Sequence, residues 1–185
     1  MQLVMRLGLA GALCLLFVVQ AAGAAVAKGG APGATAVKCQ NLGYTNYSTS
    51  AGGTPFGSEQ ACSAWVTAGN VLVFSPVTVD PPDWHFGTIT QGSPGPVKAF
   101  TFTNRGTLNL SLSWLEYWDA DQDRGATCIL GVVSLAPGAS CPALIRPRVD
   151  LTAGLHQAFV RLGYTAGRKE SGVAKATYDF VIAKP

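Results

Sequence analysis

Three carboxylates stand at alternate positions in Asp119-Ala120-Asp121-Gln122-Asp123-Arg124-Gly125, the one run here whose spacing suits a hard cation. On a loop, oxygens at the first, third and fifth positions can converge on calcium, as they do where an EF-hand loop begins. The match stops there. Arg124 takes the place of the turn glycine, Gly125 comes one residue late, and Leu130 stands where a bidentate Glu would close the site. A solvated acidic loop between strands accounts for the same residues with no metal. Calcium at Asp119, Asp121 and Asp123 is therefore the one cofactor the sequence offers, and none is required.

Acid–base chemistry has little to work with. His85 and His156 are the only side chains that ordinarily titrate near neutral pH. Neither stands near a nucleophile motif, and the chain has no G-x-S-x-G, no H-E-x-x-H and no phosphate-cradling loop. No catalytic residue is assigned, and the chain is expected not to be an enzyme.

The cysteines point to structure. Cys14 falls in an amino-terminal signal, which leaves Cys39, Cys62, Cys128 and Cys141. The tight C-x2-C spacings of a zinc site are missing. Four cysteines in an exported chain form two disulfides, with three connectivities open. Local pairing of Cys39 with Cys62 and of Cys128 with Cys141 is favoured, each worth ~3 kcal/mol by loop entropy.

The remaining lead is aromatic: Trp84 beside Pro81-Pro82, and the pair Tyr117-Trp118 at a strand end. Such residues at the end of a β-sandwich form a binding patch for protein or sugar, or they close the rim of its core.

These residues need elements to hold them. The 185-residue chain is 48% apolar and 12% charged, with 22 glycines and 11 prolines, a turn-rich globular composition. Residues 1–24 read as a signal peptide: Arg6 supplies the positive region, Leu7 to Val19 the apolar core, and Ala22-Gly23-Ala24 the cleavage pattern. No later segment is apolar enough to span a membrane. Removing Arg6 leaves twelve basic against ten acidic residues, with no cluster larger than Arg168-Lys169. That pattern excludes a nucleic-acid footprint and a polybasic membrane patch.

Residues 25–37, rich in Ala, Gly and Pro, read as a flexible leader. Residues 38–69 form a small disulfide-closed segment, expected to hold a hairpin and a short helix capped by Ser58. Residues 70–185 show short β segments separated by turns. Seven are expected: Val71 to Val79, Phe86 to Thr90, Val97 to Asn104, Leu108 to Tyr117, a run near Ile129 to Leu135, Cys141 to Val149 with Ala158 to Tyr164, and Val173 to Ile182. The sixth can be two strands. Alternation puts Phe100 and Phe102 on one face, and Leu108, Leu110, Leu112 and Trp114 on another. The fold class is all-β, a seven- to eight-stranded immunoglobulin-like sandwich with the disulfide-closed segment at its amino-terminal side.

Phe86-Gly87-Thr88-Ile89, then Gly92-Ser93, Phe100-Thr101-Phe102-Thr103-Asn104-Arg105-Gly106 with Leu108, Leu135-Ala136-Pro137-Gly138-Ala139-Ser140-Cys141 and Ala153-Gly154 resemble the immunoglobulin-like repeat of bacterial choice-of-anchor D proteins. That repeat is similar to the ASH domain of abnormal-spindle and hydin proteins, and more distantly to pilus-chaperone sandwiches. The resemblance covers about the last 110 residues and implies a Cys128–Cys141 disulfide. It departs at Ile145-Arg146-Pro147, which comes two residues early, so the register of that strand is open.

The resemblance implies an exported binding or structural module, periplasmic or released, since one copy and no anchor sequence are present. Its expected partner is an unidentified protein or envelope component, met through sandwich loops or an edge strand. The alternative is a carbohydrate or cell-envelope binder, with or without calcium. A pilus-chaperone-like role comes third.

Overall fold

A computed structural model of the protein describes residues 38–123, 128–130 and 132–185. The stretches expected to be a signal peptide and a leader, and Arg124-Gly125 of the acidic run, lie outside them. Among the described residues, eleven strands occur in chain order: β1 Tyr47–Ser48, β2 Val73–Phe74, β3 Val77–Asp80, β4 Asp83–Thr90, β5 Lys98–Asn104, β6 Leu110–Tyr117, β7 Ala120–Gln122, β8 Ser134–Leu135, β9 Ser140–Pro147, β10 Gly154–Ala166 and β11 Glu170–Ala183. One α-helix, α1 Glu59–Thr67, precedes β2.

Two sheets form the sandwich. One has the order β4-β11-β10-β6-β8 and the other β3-β5-β9-β7, while β1 and β2 make a separate ribbon. Neighbours pair antiparallel except β4, which runs parallel to β11. Seven of the sandwich strands have four or more residues.

Unbroken alternation explains the long strands. β10 hides Ala158, Val160, Leu162 and Tyr164, and β11 hides Ala174, Ala176, Tyr178, Phe180 and Ile182. Phe100 and Phe102 of β5 meet these side chains from the other sheet and are fully buried. Burying one face of each layer against the other is the main stabilising term. β9 also stays in phase, because Cys141, Ala143, Ile145 and Pro147 are all buried. The early Ile145-Arg146-Pro147 therefore ends the strand with its alternation intact.

The two disulfides join Cys39 to Cys62 and Cys128 to Cys141. All four cysteines are buried. Ser58 caps α1 by accepting a hydrogen bond from the Ala61 amide at 3.1 Å.

Four details differ from expectation. The amino-terminal segment forms no hairpin with itself: Lys38–Gly43 is a π-helical turn, and β1 pairs instead with β2. Asn46 fixes that arrangement, accepting from the Thr107 amide and donating to the Thr107 hydroxyl, with both its exposure and that of Ser48 at zero. The expected Val71 to Val79 strand breaks at Ser75-Pro76, where Pro76 has no amide hydrogen to give a ladder. The acidic run is partly a strand, since Ala120–Gln122 pairs with Pro147, Arg146 and Ile145.

The fourth difference matters most for the surface. Trp114 does not share the inward face with Leu110. The register against β10 shifts between Leu112↔Tyr164 and Trp114↔Gly163, so Ser113 is an extra residue in β6. A bulge of one residue reverses the phase of everything beyond it. Leu115 and Tyr117 then turn toward the core and Trp114 turns out.

Candidate binding face

The outer face of the five-stranded sheet collects side chains from three strands by register alone. Gln157, Phe159 and Arg161 of β10 stand opposite Asp179, Thr177 and Lys175 of β11, and Arg161 stands opposite Glu116 of β6. Cross-strand neighbours at these separations are close enough to touch.

Glu116 is the organising group. Its Oε2 accepts from Arg161 Nη2 at 2.5 Å and Nε at 3.1 Å, while Oε1 accepts from Trp118 Nε1 at 3.1 Å. The Arg161 hydrogen bond holds the Glu116 carboxyl below its usual titration range. Arg161 in turn lies 4.6 Å from the centre of the Phe159 ring and 5.8 Å from that of Trp114. Lys175 approaches the Phe159 ring to 5.1 Å, and Trp118 packs on it at 5.5 Å. The guanidinium and both carboxylate oxygens are thus engaged, and the aromatic rings are held by their neighbours.

Beside Phe159 the face dips into an open depression of about 360 Å³, lined by Asp83, Trp84, His85, Gln157 and Lys175 among others. His85 Nδ1 donates to the Asp179 carboxylate at 2.8 Å. That hydrogen bond, and then the charge of Asp179, raise the His85 pKa above the usual imidazole value, with Asp83 adding a smaller push. Lys98 Nζ sits 3.5 Å over the Trp84 ring.

The aromatic residues singled out in the sequence divide. Trp84 and Trp118 are 38% and 58% exposed; Trp118 packs directly on Phe159, whereas Trp84 is aligned with the inward-facing Tyr178 of β11 and carries Lys98 of the other sheet over its ring. Tyr117 is half-buried and packs on the core. Trp114, Glu116, Phe159, Arg161 and the His85–Asp179 pair complete the face and carry no motif of their own. Their one sequence signal is a Phe and an Arg, two apart, on the expected wet side of β10.

The three carboxylates of the acidic run go to different places. Asp119 faces His156 Nδ1 at 3.2 Å, and Asp123 accepts from Arg146 Nη2 at 3.0 Å. Asp121 is exposed on β7. His156 is further held by donating from Nε2 to the Thr152 carbonyl at 2.8 Å and by stacking on Phe180 at 5.2 Å. Among the described residues, no group of three or more His, Cys, Asp or Glu side chains is placed to hold a metal ion.

No family model matches the chain, and no curated protein matches it. Among solved structures, the VesB protease of Vibrio cholerae is similar, with 19% identity and a TM-score of 0.48 over 64% of this chain and 34% of the protease. The chain thus spans about a third of that protease's length. The ASH/PapD-like domain 7 of human CEP192 is similar over 60% of this chain and 87% of that domain, with 11% identity and a TM-score of 0.41. The E. coli chaperone DraB is similar over 56% of this chain and 53% of its own, with 9% identity and a TM-score of 0.39. At such identities and TM-scores these likenesses carry no argument about function.

Proposed function

We propose that this chain is an exported, non-enzymatic immunoglobulin-like module of the choice-of-anchor D and ASH type, and that it binds a protein of the cell envelope through the outer face of its five-stranded sheet. One observation carries the reading: Trp118, Glu116, Arg161 and Phe159 form a single connected cluster on an exposed sheet face. Tryptophan and arginine are the residues that most often dominate protein interfaces. Here their rotamers are set before a partner arrives, so association loses less side-chain freedom. The exposed Trp118 ring is left as the anchor.

A photo-crosslinking residue at position 177, exposed on this face opposite Phe159 and introduced in the native envelope, tests this. A discrete protein adduct that disappears with Arg161→Glu supports the reading. Retention on a glycan array or on peptidoglycan, with no protein adduct, sinks it in favour of carbohydrate binding. One observation favours that second reading, since the half-open Trp114 ring presents a surface on which a sugar can stack.

A further inference from the structure

At the other end of β10 and β11 from His85 and Asp179, the hairpin turn between these strands borders a cleft of about 570 Å³. Its volume is that of a small-ligand site. Leu42, Leu108 and Ala166 supply apolar surface, and all three belong to or pack on the hydrophobic core. They are therefore held firmly in place.

The charged lining is one-sided. Lys38, Arg168 and Lys169 are basic, and Glu170 is the single acid. Glu170 is occupied already, accepting from Lys38 Nζ at 2.6 Å and from the Tyr47 hydroxyl at 3.4 Å. Arg168 and Lys169 are exposed and make no ion pair among the described residues. Three basic and one acidic side chain give the cleft a net charge of +2, against +3 for the whole chain. No such cluster is visible in the sequence, because Lys38 lies far from Arg168-Lys169 along the chain.

An apolar floor gains nothing from a small anion, and a cationic rim gains nothing from a neutral oil. A molecule with a hydrocarbon chain and an anionic head satisfies both: the chain covers Leu42 and Leu108, and the head meets the Arg168 fork and the Lys169 ammonium. We propose that this cleft binds a monomeric long-chain carboxylate, a fatty-acid-type amphiphile. The site is separate from the aromatic face and does not depend on its reading.

Isothermal titration of the oxidised, purified chain with dodecanoate below its micelle concentration tests the proposal. The expected result is saturable one-to-one binding that weakens as salt screens the rim, with dodecyltrimethylammonium and dodecyl maltoside at least about tenfold weaker. Butanoate, which has the head and lacks the chain, is expected to show no binding, so the floor is read without a substitution. The exposed double variant Arg168→Glu/Lys169→Glu is expected to keep its circular dichroism and melting temperature and to lose about tenfold in dodecanoate affinity. Equal binding of the cationic and anionic detergents, butanoate binding as tight as dodecanoate, unchanged affinity of the folded double variant, or no dodecanoate binding would each overturn it.

Discussion

The indole of Trp114 rests on Gly163, so closely that a methyl group at that position would lie 2.3 Å from Cε2 and 2.5 Å from Nε1. The glycine on β10 and the bulge in β6 act together, because the bulge turns the ring outward and the missing side chain lets it lie on the sheet. Gly163→Ala is expected to lift the ring and destabilise the sandwich by about 1–3 kcal/mol, as overpacking does. A lower melting temperature with red-shifted tryptophan emission checks this. An unchanged melt and spectrum would mean that the ring moves aside freely.

The two disulfides are expected to fail in different ways. Cys141 lies in β9, paired with Phe102 at the centre of the sandwich, whereas Cys39 and Cys62 hold a segment at its margin. Replacing Cys128 and Cys141 with Ala is expected to lower the stability of the whole domain by about 3 kcal/mol, read in a denaturant melt. Replacing Cys39 and Cys62 is expected to raise hydrogen exchange in Lys38–Gly43 and α1 while β10 and β11 keep their protection. Equal loss of protection everywhere would show that the segment and the sandwich unfold as one unit.

His85 gives the aromatic face a pH response. Its pKa is raised by Asp179, so the pair contributes fully below the unfolded imidazole value and is lost as pH rises through the higher folded value. An NMR titration is expected to place the His85 midpoint above ~6.5, and Asp179→Asn is expected to bring it back down. A midpoint unmoved by that substitution would remove Asp179 as the cause.

Calcium is expected to leave the melting temperature unchanged at millimolar concentration. Asp119 and Asp123 already face His156 and Arg146, and an ion would have to displace both contacts. A rise in the midpoint with added calcium would show a site occupied in the folded state.

How much was legible in the sequence follows from where alternation runs unbroken. β5, β10 and β11 alternate without interruption, and their buried faces follow directly from Phe100, Phe102 and the even-numbered residues of the last hairpin. β6 breaks that rule at Ser113. One inserted residue carries no signature of its own in composition, so Trp114 is read as core when it belongs to the surface. The amino-terminal segment was obscure for a different reason. Asn46 is satisfied by Thr107, sixty-one residues away, and nothing local announces such a partner.

The aromatic face shows the same limit. Exposed Trp84 and Trp118 stand out by residue type, yet what ties Trp118 to Phe159 is a carboxylate and a guanidinium forty-five residues apart in the chain, brought together by strand register. Gly106 is likewise needed for a reason other than the left-handed turn its neighbours suggest. A side chain there would run into Asn46 Oδ1 at 2.1 Å, whereas Gly138 does adopt a positive φ of 79°.

The parallel pairing of β4 with β11 bears on how the chain is made. His85 meets Asp179 across 94 positions, so the strand that carries Trp84 and His85 has no neighbour in its sheet until β11 has been synthesised. Long-range pairing of this kind is slow to form. A nascent chain halted before Thr177 therefore holds β4 as a loose thread, and assembly of that margin is a late event in the life of each molecule.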